Sequence, residues 1–96
     1  MGSFKLSVLM SNYNHAHYIA EALNAIVSQS FKPFEVLVCD DGSTDNSVDI
    51  IQRFVDKYPF VHLIKNDRNV GIFASFDRLT AMAAGDYLYC ASADDK

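Results

Sequence analysis

Three clusters of polar residues carry the side chains in this sequence that are suited to chemistry. They are Ser11-Asn12-Tyr13-Asn14, Asp40-Asp41-Gly42-Ser43 and Ser92-Ala93-Asp94-Asp95. An aromatic ring such as that of Tyr13 offers a face on which a planar base can stack. Carboxylates accept hydrogen bonds from a base or a ribose, and they are the ligands that hard divalent cations prefer. The clusters therefore indicate a site for a planar base and a divalent cation.

Each cluster also has an ordinary structural explanation. Tyr13 would then be a half-buried loop tyrosine, Asp41 a turn or cap aspartate, and Asp94-Asp95 an acidic turn. His15 and His17 lie two residues apart, so they would point in different directions on a helix and do not predict a metal site. The functional interpretation gains weight only if the fold brings the three clusters to one place.

The composition is typical of one compact domain. The chain has 96 residues, of which 50% are hydrophobic and 21% charged, and its net charge is -4. This acidic balance argues against a nucleic-acid partner. No apolar run approaches the roughly 20 residues of a membrane span, and no signal segment opens the chain. We expect a cytoplasmic protein, with attachment to the inner membrane face through segments outside this sequence as an alternative.

Two cysteines and several missing motifs narrow the chemistry further. Cys39 and Cys90 both lie in apolar runs, which predicts buried, reduced thiols and no disulfide. The dinucleotide fingerprint GxGxxG, the phosphate-binding GxxxxGK[ST] and the hydrolase GxSxG do not occur. The sequence therefore gives no support to a dinucleotide, P-loop or serine-hydrolase site.

The hydrophobic pattern alternates between strands and helices along the chain. Short apolar runs predict strands at 6–10, 35–39, 61–64 and 87–91, and apolar residues at helical spacing predict helices at 16–30, 48–58 and 72–83. Ser43 or Thr44 is the predicted N-cap of the second helix. Strands that alternate with helices favour an α/β fold in which helices cover both faces of a parallel sheet.

The predicted topology places all three clusters at one edge of the sheet. Right-handed crossovers give the strand order 3-2-1-4, with the first and fourth strands at the point where the order reverses. Ligands of such sheets bind at this switch point, outside the carboxyl ends of the strands. Each of the three polar clusters follows a strand at its carboxyl end. A shared position at this edge favours the functional interpretation.

These same segments resemble family 2 glycosyltransferases, which have the GT-A fold. The resemblance lies in SVLMSNYN at 7–14, QSF at 29–31, FEVLVCDDGSTD at 34–45, NVG at 69–71, and a stretch from GDY to ADD at 85–95. It extends over about residues 5–95, and the motifs occur in the usual order and spacing. It implies a Rossmann-like, partial GT-A fold, with residues 1–96 as the half that binds the nucleotide sugar.

The resemblance also implies a reaction and a set of site residues. The reaction is inverting transfer of a sugar from a nucleotide diphosphate, most often UDP, to an acceptor hydroxyl, of the kind used to build cell-surface polysaccharides. Tyr13 would lie against the base and Asp41 would hydrogen-bond it, while Asp95 would hold Mn2+ or Mg2+ and the diphosphate. The implied donor-binding residues are Ser11, Tyr13, Asn14, Asp41 and Asp94, and the implied metal ligands are Asp94 and Asp95.

Two departures from the family pattern concern the charges of the site. Ser92 stands where many members have an aspartate, and a hydroxyl is a weaker metal ligand than a carboxylate. Phe76-Asp77 stands where many members have an Arg-Asn pair, and Arg78 is the neighbouring cation. The acceptor-binding half and the catalytic base of the family normally follow the DxD-like motif. We therefore expect a chain that is truncated after this motif, lacks the base and is inactive by itself.

Two further hypotheses remain open on the sequence. A receiver domain has the same alternating architecture and clusters acids at strand ends, but it needs an acidic pair where this chain has Ser11-Asn12. A non-catalytic module that associates with itself is the other hypothesis. The fourth strand, at 87–91, would then be an apolar edge open to pairing with another chain.

Overall fold

The computed structural model describes residues 4–30 and 32–92, with Ser92 described in its backbone only. Four strands and three helices alternate in these ranges. The elements are β1 (Leu6–Asn12), α1 (Ala16–Val27), β2 (Glu35–Asp41), α2 (Ser47–Lys57), β3 (Val61–Asn66), α3 (Ile72–Met82) and β4 (Tyr87–Ser92).

All strand pairs in the sheet are parallel, and the strand order is β3-β2-β1-β4. The predicted α/β class and strand order are therefore confirmed. The alternation of side chains along each strand divides the core into two layers. The layer under α1 and α2 contains Val8, Met10, Ile19, Leu23, Val27, Val36, Val38, Ile51 and Val61. The layer under α3 contains Leu9, Leu37, Cys39, Ile64 and Leu79.

A buried carboxylate fastens the connection that leads from α3 into β4. Glu35 Oε2 accepts hydrogen bonds from the Ser7 hydroxyl at 2.6 Å and from the Ala84 amide at 2.7 Å. Ser7 Oγ in turn accepts one from the Gly85 amide at 2.9 Å. A Cβ at Gly85 would lie 2.4 Å from Ser7 Oγ, so only glycine fits there. These contacts hold the start of β4 beside β1.

The strands β1, β2 and β3 each end two residues beyond the predicted strands, and three other local expectations from the sequence were wrong. The helix α1 ends at Val27, although the pattern extended to residue 30. The N-cap position of α2 is Asn46, and the oxygen that caps the helix belongs to Asp45, whose Oδ1 accepts from the Ser47 amide at 2.9 Å. Cys90 is exposed because it lies on the edge strand β4, whereas Cys39 is buried as predicted and both thiols are free.

The edge strand β4 is the most exposed part of the sheet. Tyr87, Leu88 and Tyr89 are 59%, 47% and 60% exposed. The ring of Tyr87 is covered only in part, by an edge-on contact with Phe4 at 5.1 Å between centroids. Across residues 4–30 and 32–92, no helix has the length and apolar character needed to cross a membrane.

Candidate functional site

The polar clusters begin inside the sheet and not in the loops after it. The ladder pairs Asn12 with Asp40, Asp41 with Asn66, and Ser11 with Ser92. Ser11, Asn12, Asp40 and Asp41 are all buried. Pairing in the parallel ladder extends β1 and β2 by two residues each beyond the apolar runs that the sequence displays. The structure thus places the first two clusters side by side at the carboxyl edge.

Asp41 is a buried carboxylate with three hydrogen-bond donors. Its Oδ1 accepts from Asn66 Nδ2 at 3.0 Å and from the Val70 amide at 2.8 Å. Its Oδ2 accepts from the Gly71 amide at 2.9 Å. Burial raises the pKa of this carboxyl, but the bonds from Val70, Asn66 and Gly71 outweigh burial, and the pKa is lowered. Asp41 is therefore ionised at neutral pH. Among the described residues Oδ2 accepts from the Gly71 amide alone, which leaves it one open lone pair.

Asn66 connects Asp41 to a cation on α3. Its Nδ2 also donates to Ser75 Oγ at 3.1 Å. Its Oδ1 accepts from Arg78 Nη1 at 2.6 Å, and the same nitrogen donates to the Lys65 carbonyl at 3.2 Å. The Arg78 guanidinium can only donate hydrogen bonds, so the Asn66 side-chain amide must direct its oxygen toward Arg78. The NH2 group of Asn66 therefore faces Asp41. The sequence pointed to Arg78 as a neighbouring charge, but the role of Asn66 was missed.

A cleft of about 360 Å³ opens beside the hydrogen-bonded chain Arg78–Asn66–Asp41, at the carboxyl end of β3. Two of its residues, Asn66 and Val70, are donors to Asp41. Three cationic side chains and one anionic side chain give it a net positive lining. The lining residues are Lys65, Asn66, Asp67, Arg68, Val70 and Arg78.

Asp40 belongs to the opposite face of the sheet and forms a separate network. Its Oδ1 accepts from Asn12 Nδ2 at 3.1 Å and from the Ser43 hydroxyl at 2.7 Å, and its Oδ2 accepts from the Ser43 amide at 2.9 Å. Asn12 Oδ1 is buried and has no hydrogen-bond partner among the described residues. Asp40 thus accepts as many hydrogen bonds as Asp41, but from Asn12 in β1 and from its own turn, whereas the donors to Asp41 are Asn66 at the end of β3 and the Val70 and Gly71 amides after it.

Tyr13 and Asn14 lie in the loop between β1 and α1. Tyr13 is 37% exposed, so part of its ring is available to a ligand. Asn14 has a positive φ of 54° and is engaged with the loop that follows β2. Ser11 is buried on the α3 side of the sheet, in register with Cys39.

The metal ligands implied by the resemblance, Asp94 and Asp95, lie outside the described residues. Within residues 4–30 and 32–92, no group of three or more His, Cys, Asp or Glu side chains is placed to hold a metal ion. His17 instead contacts Glu21 one turn later on α1, with 3.1 Å between Nε2 and Oε2.

The strand order and the polar carboxyl edge define a Rossmann-like α/β domain, and sheets of this kind bind ligands at the switch point. The match to a family model is more specific. The model described as glycosyl transferase family 2 matches residues 7–96, and the chain belongs to that family. Membership of this family decides against the receiver-domain hypothesis.

The sequence relatives include EpsE of Bacillus subtilis (strain 168), which carries a provisional glycosyltransferase name. It is 37% identical over 92 residues, which cover 95% of this chain and 33% of EpsE. Among the first eight such relatives, the chain spans between 25% and 36% of their length. It is therefore similar to about a quarter to a third of each whole protein.

Solved structures match the fold over nearly the whole chain. The mannosyltransferase PcManGT from Pyrobaculum calidifontis, in complex with GDP-Man and Mn2+, has a TM-score of 0.85 and 26% identity, over 97% of this chain and 28% of that one. TarS 1–349 of S. aureus has a TM-score of 0.83 and 30% identity, over 94% and 27%. These neighbours support the GT-A assignment.

Proposed function

We propose that this chain binds the nucleotide of a nucleoside diphosphate sugar at the carboxyl edge of its sheet and forms the donor side of an inverting glycosyltransferase. The observation that carries the proposal is Asp41, a buried, ionised carboxylate with one open acceptor position. A half-exposed aromatic ring, Tyr13, lies in the loop that follows the neighbouring strand β1. The GDP-Man and Mn2+ bound by PcManGT support the same ligand class.

The number of open acceptor positions on Asp41 favours a uracil base over guanine. A carboxylate offers about four lone-pair positions, and Asp41 already uses two on Oδ1 and one on Oδ2. Uracil presents one donor, N3–H, on its pairing edge, whereas guanine presents N1–H and an adjacent N2–H. A single open position on Oδ2 matches one donor. The expected donor is therefore a UDP sugar.

The proposed metal is Mn2+ or Mg2+, held by Asp94 and Asp95. Carboxylate oxygens suit such cations, and these residues follow β4, whose end pairs with Ser11 at the same sheet edge. When bound, the cation would stabilise the negative charge of the leaving diphosphate. Ser92 replaces a stronger ligand, so we expect the metal to bind weakly until the diphosphate adds its own oxygens.

The transfer step needs a general base in addition to a donor site. An acceptor hydroxyl must lose its proton to a general base as it attacks the sugar. We expect that base beyond Lys96, as the family resemblance implies. The 96-residue chain should therefore bind the donor without transferring the sugar, and we expect it to act in the cytoplasm in cell-surface polysaccharide biosynthesis.

Calorimetric titration of the chain with UDP and with GDP, each in excess Mn2+, tests the proposal. UDP should bind at least tenfold more tightly than GDP, and Tyr13→Ala should weaken UDP about tenfold, since stacking a base on an aromatic ring contributes roughly 1–3 kcal/mol. Tyr18→Ala is the matched control because Tyr18 is also 37% exposed but lies on α1. Absence of heat with millimolar UDP, in a folded chain, would contradict donor binding.

A further inference from the structure

The side chain of Asn14 links the loop between β1 and α1 to the loop between β2 and α2. Asn14 Oδ1 accepts from the Thr44 amide at 2.7 Å, from the Asp45 amide at 3.2 Å and from the Thr44 hydroxyl at 3.4 Å. The Asn14 amide donates back to Ser43 Oγ at 2.9 Å. The side chain that the family resemblance implied for donor binding thus has its carbonyl oxygen directed toward the loop after β2.

The fastening is reciprocal. Asp45 Oδ2 accepts from the Ala16 amide, the first residue of α1, at 3.2 Å, and its Oδ1 accepts from the Ser47 amide, the first residue of α2. Burial raises the pKa of Asp45, but bonds from Ser47, through its side chain and amide, and from Ala16 outweigh it and lower the pKa. One ionised carboxylate therefore caps both helices beside Asn14.

The backbone of Asn14 is suited to this position. Its φ of 54° is the left-handed conformation, which asparagine and aspartate tolerate better than other non-glycine residues. Tyr13 is preceded by Asn12, which is buried and hydrogen-bonded to Asp40. Tyr13 therefore stands between two anchored residues, with its own ring partly exposed.

We propose that Asn14 is a positioning residue whose clamp onto Thr44 and Asp45 holds the loop of Tyr13 ready to stack on the base. The proposal rests on the proposed function, because the base is the partner of Tyr13. Asn14 acts through Tyr13, and its carbonyl oxygen makes no contact with the donor. The loop of Tyr13 is then ordered before the nucleotide binds, so binding costs less conformational entropy.

Two substitutions separate the clamp from the backbone conformation. Asn14→Gly keeps the positive φ without strain but removes the acceptor. Asn14→Asp keeps an acceptor oxygen in the same place and also tolerates the left-handed region. UDP affinity should fall roughly three- to tenfold in the glycine variant, as part of the stacking contribution is lost, and recover to within about twofold of wild type in the aspartate variant. Equal affinities in all three proteins would overturn the proposal.

A double-mutant cycle with Tyr13→Ala tests whether Asn14 acts through Tyr13. In the Tyr13→Ala background, adding Asn14→Gly should change UDP affinity by less than about twofold, because the two residues share one effect. Independent effects that multiply would overturn the proposal, since a general loss of structure or a direct contact of Asn14 with UDP does not require Tyr13.

A ligand-free measurement distinguishes failure of the clamp from failure of the proposed function. The NMR order parameter of the Tyr13 amide should be near 0.85 in the wild-type chain and in Asn14→Asp, and below about 0.6 in Asn14→Gly. Unchanged order in Asn14→Gly would refute the clamp, whether or not UDP binds. A mobile Tyr13 loop in Asn14→Gly together with no UDP binding by wild type would support the clamp and reject the donor site.

Discussion

Replacing Asp41 with asparagine tests the most constrained group of the site. The carboxylate accepts three hydrogen bonds at 2.8–3.0 Å while only 3% exposed. An amide has one acceptor oxygen, so Asp41→Asn retains at most two of these bonds and turns an NH2 group toward the third donor. Hydrogen bonds to a charged group contribute about 1.5–3 kcal/mol each, against about 0.5–1.5 kcal/mol for neutral ones.

The expected loss of unfolding free energy is therefore about 2–4 kcal/mol at pH 7, after subtracting the desolvation penalty that a neutral amide avoids. A domain of this size has a total stability of roughly 5–14 kcal/mol, so the variant should remain folded. Urea unfolding followed by far-UV circular dichroism measures the difference. Asp49→Asn, an exposed position in the first turn of α2, is the charge-matched control and should cost less than about 1 kcal/mol.

The pH dependence of that difference gives a second test. The pKa of Asp41 is lowered from 3.8 in the folded chain, so its carboxylate contributes full stability above that value and loses it as pH falls through the lower folded pKa. The gap between wild type and Asp41→Asn should be constant from about pH 7 to 5 and shrink below about pH 4. Asp45, whose pKa is also lowered, is present in both proteins and cancels. A gap below about 0.5 kcal/mol, or one that persists unchanged in strong acid, would refute the reasoning.

Three further substitutions test other parts of the account. Arg78→Ala should free the Asn66 side-chain amide to rotate and so weaken UDP binding roughly three- to tenfold, as measured by calorimetry. Arg53→Ala, on α2, is the control and should leave UDP binding unchanged. Equal effects of the two substitutions would contradict the role of Arg78 in orienting Asn66. Gly42→Ala should lower stability by about 2 kcal/mol or more in a melting experiment, because φ is +78° and the new Cβ would lie 2.7 Å from the Arg68 carbonyl carbon. Leu88→Lys should abolish the self-association that we expect through β4, as light scattering would show; a wild-type chain that stays monomeric at high concentration would contradict that expectation.

The fold was predictable because its signals are local and repeated. Apolar runs and helical spacing located every element, and the handedness of parallel crossovers then left the order 3-2-1-4, which the structure confirms. The ends of β1, β2 and β3 were each predicted two residues short. Asn12 and Asp41 read as loop residues by polarity, but pairing with neighbouring strands keeps them in the sheet.

The hydrogen-bond network at the site was not predictable from the sequence alone. Asn66 and Asp41 are 25 positions apart, and nothing in either segment identifies the other as its partner. The role of Asn14 depends on the conformation of a loop 30 residues away. Cys90 was predicted to be buried from its apolar neighbours, but exposure on an edge strand depends on what covers that edge.

The central claim is that the open lone pair of Asp41 receives the single donor of a uracil base. The most direct measurement compares the binding of UDP with that of N3-methyluridine diphosphate, in excess Mn2+, to the wild-type chain and to Asp41→Asn. We predict that methylation weakens wild-type binding at least tenfold, about the value of a hydrogen bond to a buried charge, and that Asp41→Asn removes most of this difference. Equal affinity of the wild-type chain for the two nucleotides would contradict the account.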